Sequence, residues 1–322
     1  MNALLRYASP ILFVAVIATF GVLSPKFMTA DNALNILVQS APVGIVTIGM
    51  TFVLLTASVD LSVGAIMFLA AAIAGKMLQA DMPLSVALGA MLVIGVTSGG
   101  INAAFIARLR IAPFVVTLAF LFIGRGVALT ITQTRAMNLP ESFLRLGSAR
   151  IVGVPLPLLV FGMMLLIAHA TLTRTPFGRQ LYALGHNPVT ARKAGLNTSL
   201  LLASVFLISG FCAALGAILS LAQLGAVSPK FGEAYEFKAI AAAVLGGASL
   251  FGGRGTVLPG TLLGVVLIQS VEAGLVILNA DPYLYPIITA AIIFIAVLID
   301  SGRNTLLERL GRRRIRNDSA QA

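Results

Sequence analysis

The stretch from Gly247 to Arg254 has the G-x-x-x-x-G spacing of a phosphate-cradling loop. Such a loop needs Lys and then Ser or Thr after its second glycine, to reach phosphate and Mg²⁺. Gly253 and Arg254 stand there instead, so ATP binding by this chain is not expected. Tight turns or close helix packing are the better use of these glycines. Metal chemistry has little to work with, because the chain has two histidines and one cysteine, whereas a zinc site needs three or four ligands. Cys212 lies in an apolar run and reads as a small core residue. No pairing of nucleophile and base is visible, which leaves a membrane enzyme as the weakest reading. Three charged residues interrupt or sit within apolar runs: Asp60, Arg125 and Glu272. Charges in a membrane are costly and usually face a bundle interior or a cavity. Asp60, followed by Ser62, suits a cap on a helix starting near Leu61. Arg125, between Gly124 and Gly126, suits a pair with Asp60 or with carbonyls at a helix break, and Glu272 suits a place near the interface.

The elements that carry these residues follow from composition. The chain has 322 residues, of which 58% are hydrophobic and 10% charged, with a mean hydropathy of +1.00. Soluble domains are about 25% charged, so a polytopic membrane protein is expected. Long uncharged runs cover 7–25, 32–59, 82–107, 151–173 and 198–229. Backbone polar groups cannot stay unpaired in lipid, so runs near 20 residues imply helices. The first, behind Arg6, lacks a small-x-small cleavage pattern before Ser24-Pro25-Lys26 and reads as an uncleaved span.

An all-α fold with about ten transmembrane helices (eight to ten) is expected. They lie near 8–24, 36–56, 63–79, 84–106, 113–132, 154–172, 199–222, 237–251, 256–278 and 283–300. The net charge of +11 resembles that of a nucleic-acid binder, but the basic residues sit in gaps between spans and in a cluster from Arg309 to Arg316. With both termini inside, fourteen basic residues fall on inner segments: Arg6, Arg108, Arg110, Arg174, Arg179, Arg192, Lys193, Arg254 and six from Arg303 to Arg316. Six fall outside: Lys26, Lys76, Arg135, Arg145, Arg150 and Lys230. The excess supports N-in and C-in. The largest outer segment, 133–153, reads as a polar, solvated loop.

Two apolar runs are broken, at Thr56–Gly64 and at Gly246–Gly255. Irregular backbone survives at membrane depth only where protein or a cavity shields it, and paired interruptions often mark a transport path. Residues 36–79 and 237–278 look like such a pair, without a sequence repeat that proves duplication. Between two spans lies a polar, basic island, Arg174–Asn197. Asn187-Pro188 makes a good helix start, Val189–Ala194 forms under two turns, and Gly195 fits the stop. A helix that short is marginal alone, so docking on a partner would stabilise it. An ordinary positive-inside loop is the plainer alternative.

The island resembles the cytoplasmic coupling loop of ribose/monosaccharide-type ABC transporter permeases. The residues that carry the likeness are Thr175, Phe177, Gly178, Arg179, Tyr182, Ala183, Leu184, Gly185, Asn187, Ala191, Gly195, Leu196 and Asn197. Three further segments agree, in order. They are Gly49–Val53 leading to Asp60–Gly64, Pro113–Leu118 through Arg125-Gly126, and Ala243–Gly247 through Gly252–Gly255. The match runs from about Ser24 to Ile299. His186 stands where many members have Gly, and Ala57-Ser58-Val59 replaces a Gly-Gly-Ile-like triplet, which makes that backbone less permissive.

The resemblance implies an importer subunit of the bacterial cytoplasmic (inner) membrane. Its partners would be a second permease chain (same or sister), a cytoplasmic ATPase, and a periplasmic or lipid-anchored sugar-binding protein. The chain itself would be no enzyme and hold no cofactor. Residues 1–300 would form one permease domain, with 174–197 as its coupling loop and 301–322 as a basic cytoplasmic tail. Arg179, Arg192 and Lys193 would face carboxylates on the ATPase, although exposed pairs contribute only about 0–1 kcal/mol. A path for a neutral, hydroxyl-rich solute needs hydrogen-bonding groups. Candidates are Asn35, Gln39, Thr51, Asn102, Thr117 and Gln269, with Asp60, Ser62, Gly246 and Gly247 at the breaks and Arg125 within a span. Each serves helix–helix hydrogen bonding equally well, and specificity is expected mainly in the binding protein. The alternative class is an ion-coupled secondary transporter, which needs titratable groups at the midplane. A passive channel comes third.

Overall fold

A computed structural model describes residues 8–281 together with 283–285, 287, 288, 290, 291 and 294. The expected span at 283–300 and the basic tail at 301–322 lie largely or wholly outside the described residues, as do Arg6 and the arginines from Arg303 onward. Twelve α-helices lie among the described residues: α1 (Ala8–Leu23), α2 (Ala30–Leu55), α3 (Val63–Gln79), α4 (Leu84–Ala103), α5 (Pro113–Thr132), α6 (Glu141–Ser148), α7 (Leu156–Arg174), α8 (Pro176–His186), α9 (Pro188–Lys193), α10 (Thr198–Leu224), α11 (Tyr235–Leu245) and α12 (Leu262–Ile277). A π-turn, Ala104–Arg108, extends α4, and another, Val257–Thr261, leads into α12.

Helix ends follow local chemistry. Thr29 caps α2 by accepting from the Asn32 amide. Proline stands in the first turn of α5, α7, α8 and α9, where its missing N–H costs nothing. Gly225, at φ +75°, ends α10 in the left-handed region.

The chain is an all-α polytopic membrane protein. Among the described residues, six helices are long and apolar enough to cross a bilayer: Ala30–Leu55, Leu84–Arg108, Pro113–Thr132, Leu156–Arg174, Thr198–Leu224 and Val257–Ile277. Two apolar helices are shorter, Pro10–Leu23 and Val63–Gln79. Ten full spans are therefore not seen among the described residues. The expected segment at 237–251 is the eleven-residue α11, about 16 Å at 1.5 Å per residue and too short to cross alone. The chain breaks at Gly246 because the next stretch is a string of glycines, four of them at positive φ.

At the centre, α2 and α10 are wrapped by the other helices; α2 contributes the largest set of buried residues. Small residues let α4 and α10 approach closely. A Cβ on Gly95 would collide with the Gly210 carbonyl, and one on Gly210 with that of Gly95. The periphery is apolar, with Phe114, Val115, Phe122 and Ile123 of α5 all exposed, as suits a lipid-facing helix and not a wet one. The segment 133–153 is not a plain solvated loop. It contains α6, whose Phe143 is fully buried, and Met137–Asn138 pairs antiparallel with Ala226–Val227.

Candidate functional site

The island is a two-helix hairpin with its own caps. Thr175 Oγ1 accepts from the Gly178 amide at 3.2 Å and opens α8. Gly178 presses on the Leu172 carbonyl, where a Cβ would collide, so α8 folds back tightly on α7. Asn187 Oδ1 accepts from the amides of Val189 and Thr190, each at 3.0 Å, and opens α9. Gly195, at φ +84°, ends α9. Its amide donates to Arg192 O and that of Leu196 to Ala191 O, the paired bonds of a Schellman stop. Gly178, Leu181, Leu184, Gly185 and Ala191 face inward, while Arg179, Val189, Thr190, Arg192 and Lys193 are exposed. Phe177 and Tyr182 are half-buried.

This hairpin is locked to both helix breaks. Tyr182 Oη donates to the Gly255 carbonyl at 2.7 Å, and burial pushes its phenol pKa upward, so it stays a neutral donor. The Gly253 amide donates to Leu55 O at 2.9 Å. Gly185 lies so close to Leu55 O and Gly253 N that a Cβ has no room. Gly252, at φ +83°, packs on Ala57. His186, unexplained by sequence, lies against Gly253, where an added Cβ would come within 3.0 Å of its Nδ1. The two interruptions thus touch each other as well as the island. Ala57 sits at φ +57°, a left-handed conformation that favours glycine.

The structure separates the remaining candidates into two sets. Asp60, Ser62, Asn102 and Thr117 are fully buried in helix packing. Asp60 Oδ1 accepts from the Ser62 amide (2.9 Å) and from the Ser62 hydroxyl, and Oδ2 accepts from Ser209 Oγ at 2.7 Å. Asn102 Nδ2 donates to Ser62 Oγ at 2.8 Å, and Thr117 Oγ1 donates to Pro113 O at 3.0 Å and to Val59 O at 3.4 Å. Ser62, not Asp60, occupies the cap position of α3, while Asp60 serves its amide from one position further out. The expected Asp60–Arg125 pair is absent. Arg125 donates to Pro229 O at 3.1 Å and to Phe231 O at 3.5 Å, lies 3.5 Å from Glu233 Oε2, and sits over the Phe68 ring. Asp60 is satisfied by hydroxyls, and Arg125 instead fastens the 229–233 segment. Thr51 bonds Thr261 across a buried helix contact at 2.9 Å. Gly246 packs on Gly260 at the end of α11, and Gly247 turns the chain at φ +92°.

Asn35 and Gln39 belong to the second set. They line a cavity of about 880 Å³ between α2, α11 and α12, with Asn32, Phe237, Lys238, Gln269 and Glu272. Gln269 Nε2 donates to Gln39 Oε1 at 3.3 Å. Lys238 Nζ lies 2.6 Å from Glu272 Oε1. Glu272 therefore faces a cation in the cavity wall. Sequence reading missed Asn32, Phe237 and Lys238. Their signal was one-face spacing, at 32, 35, 36 and 39 on α2 and at 234, 237 and 238 on α11 and its N-terminal flank.

Comparison with known proteins agrees with this architecture. The family described as branched-chain amino acid transport system / permease component matches residues 32–297. The ribose import permease protein RbsC of Escherichia coli K12 is 35% identical over 303 residues, 92% of this chain and 94% of that one. Its counterpart in Bacillus subtilis is 36% identical, covering 90% of each chain. The autoinducer 2 import system permease protein LsrC of Photorhabdus laumondii is 35% identical, covering 90% and 88%. No solved structure matches the chain.

Proposed function

This chain belongs to the family of transport-system permease components, and from that premise we propose that it is the membrane subunit of an ABC importer for a monosaccharide or similar small polar solute. It is a transporter subunit of the bacterial cytoplasmic membrane and not an enzyme. ATP is hydrolysed on a separate ATPase, and an external binding protein delivers the solute. A second permease chain, the same or a sister, completes the pathway. Residues 1–300 act as one permease domain, with 174–197 as its coupling loop and 301–322 as a cytoplasmic tail.

The observation that carries this reading is the lock between the island and the helix breaks. The contacts of Gly185, Tyr182, Leu55 and Gly253 give a docked ATPase a rigid lever on α2, α11 and α12. The outer face of α9 offers the ATPase a knob, Val189, which is 64% exposed, and the basic Arg192 and Lys193. Contacts between loops favour alternating crossings, and the excess of basic residues on the inner segments favours N-in and C-in. Segments 133–153 and 222–234 pair at one end through Met137–Asn138 and Ala226–Val227. The ends of α2 and α8 and the 252–255 turn meet at the other. Ten crossings require the segment at 283–300 and count the broken pairs as spans.

The relatives' names indicate the solute class, since they import ribose, D-allose, galactofuranose or autoinducer 2. Gly178 and Ala191 face inward, so substituting either disturbs the hairpin itself. Val189→Asp is the cleaner test. It should leave the permease in the membrane and abolish ATP-driven uptake in the assembled transporter. Normal uptake by that variant, with normal ATPase binding, removes the coupling role.

A further inference from the structure

The cavity between α2, α11 and α12 lies at the far end of α2 from the island. Gln39 and Leu55 are sixteen residues apart on one helix, about 24 Å at 1.5 Å per residue. Its volume, about 880 Å³, falls within the range of small-molecule sites, roughly 300–1,000 Å³. Resting on the functional reading above, we infer that this cavity is a solute-recognition site within the permease itself, selecting neutral polyhydroxylated solutes through the Gln39–Gln269 amide pair and the Lys238–Glu272 ion pair.

The chemistry of the wall carries the inference. A sugar hydroxyl both donates and accepts, and amides offer both functions side by side. Asn35 and Gln39 present them from α2, opposite Gln269 on α12. The amide pair is made through one Gln269 N–H and one Gln39 oxygen, which leaves the Gln39 amide N–H₂ and the Gln269 oxygen to meet a solute. The ion pair works in the same way. One Glu272 oxygen meets Lys238, while its second oxygen and the remaining ammonium protons suit neighbouring hydroxyls.

Pairing also sets the charge rule. An unpaired charge in a low-dielectric wall is costly and would draw ions of opposite sign. Lys238 and Glu272 compensate each other at 2.6 Å, and Glu233 has Arg125 3.5 Å away. The wall is thus mainly apolar, with a few paired polar groups and, among the described residues, no free charge for the carboxylate or ammonium of an amino acid. Phe237, 52% exposed, supplies an apolar surface for the C–H face of a sugar.

Tyr285, Ala290 and Phe294 line one side of the cavity, and the three helices of the other sides are rooted in the lock. α2 ends at Leu55, and α11 and α12 flank the 246–256 turn that holds Gly253 and Gly255. A shift of the island re-spaces Gln39 from Gln269 and Lys238 from Glu272, so the site loosens its solute as the path opens inward.

The test uses the complete transporter in proteoliposomes, with D-ribose, D-allose and L-leucine as probes. The unaltered transporter should take up at least one of the sugars and not leucine. Lys238→Gln and Gln269→Leu should each raise the uptake KM for that sugar by about tenfold, as expected for lost polar contacts. The charge-swapped double variant Lys238→Glu with Glu272→Lys should recover most of that loss, because the pair is restored. Should buried Gln269→Leu fail to assemble, exposed Asn35→Ala serves in its place and should raise KM about threefold. Unchanged KM in Lys238→Gln and Asn35→Ala overturns the recognition site and leaves the permease reading intact, since that reading stands on Val189→Asp. Uptake of leucine in preference to the sugars, or of none of the three, overturns the recognition site together with the assigned solute class.

Discussion

At the residue scale, one side chain carries backbone strain and another is a buried carboxyl group. Ala57 holds φ +57° at the end of the first helix break. A left-handed L-residue costs about 1–2 kcal/mol, and the added freedom of an unfolded glycine takes back about 0.4–1 kcal/mol. Ala57→Gly should therefore stabilise the permease by up to about 1.6 kcal/mol, seen as a higher midpoint in detergent thermal unfolding. A lower midpoint would mean that the Ala57 methyl contact with the 252–253 turn outweighs the strain. Asp60 receives hydrogen bonds from Ser62 and Ser209 and has no cation partner among the described residues. Asp60→Leu strands these buried donors, at about 1–3 kcal/mol each, so it should lower yield and thermal midpoint clearly. Asp60→Asn keeps an acceptor and should lie nearer the wild type. Equal behaviour of the two variants would contradict a hydrogen-bonding role. The sequence marked Asp60 as unusual, but its partner Ser209 is 149 positions away, and nothing local points to it.

At the scale of elements, the α8–α9 hairpin is a rigid body because both its helices are capped and its glycines permit backbone contact. Tyr182→Phe removes one hydrogen bond to the 252–255 turn, worth about 0.5–1.5 kcal/mol. It should leave assembly intact and lower the ratio of solute moved to ATP hydrolysed. An unchanged ratio would show that backbone contacts alone transmit the motion. Asn187, Pro188 and Gly195 made α9 readable, since cap and stop residues act locally. Helix α6 was not readable, because its short apolar stripe acquires meaning only when Phe143 reaches the core against α10.

At the scale of the whole molecule, helix ends sort into two faces. Val189 lies on the face of the island, and Val152, 98% exposed, lies on the face of the 133–153 segment. The lone native cysteine, Cys212, is buried, so single-cysteine labelling has little background. Val189→Cys should react with a membrane-impermeant maleimide only from the cytoplasmic side, and Val152→Cys only from outside. Labelling of both from one side would refute the alternating arrangement. The sequence by itself determined the class of molecule, the apolar helices and their approximate limits, the island and its caps, and the family likeness. Each of these depends on hydropathy, charge placement or near-neighbour chemistry, which are written along the chain. Only the tertiary structure decided that Asp60 and Arg125 do not pair. It alone decided that the two helix breaks meet at the island, and that Asn35 and Gln39 line a cavity while Thr51, Asn102 and Thr117 are buried with hydrogen-bond partners. Those outcomes depend on contacts between residues up to 230 positions apart, such as Gln39 with Gln269, and sequence spacing within one helix carries no information about which distant helix will face it.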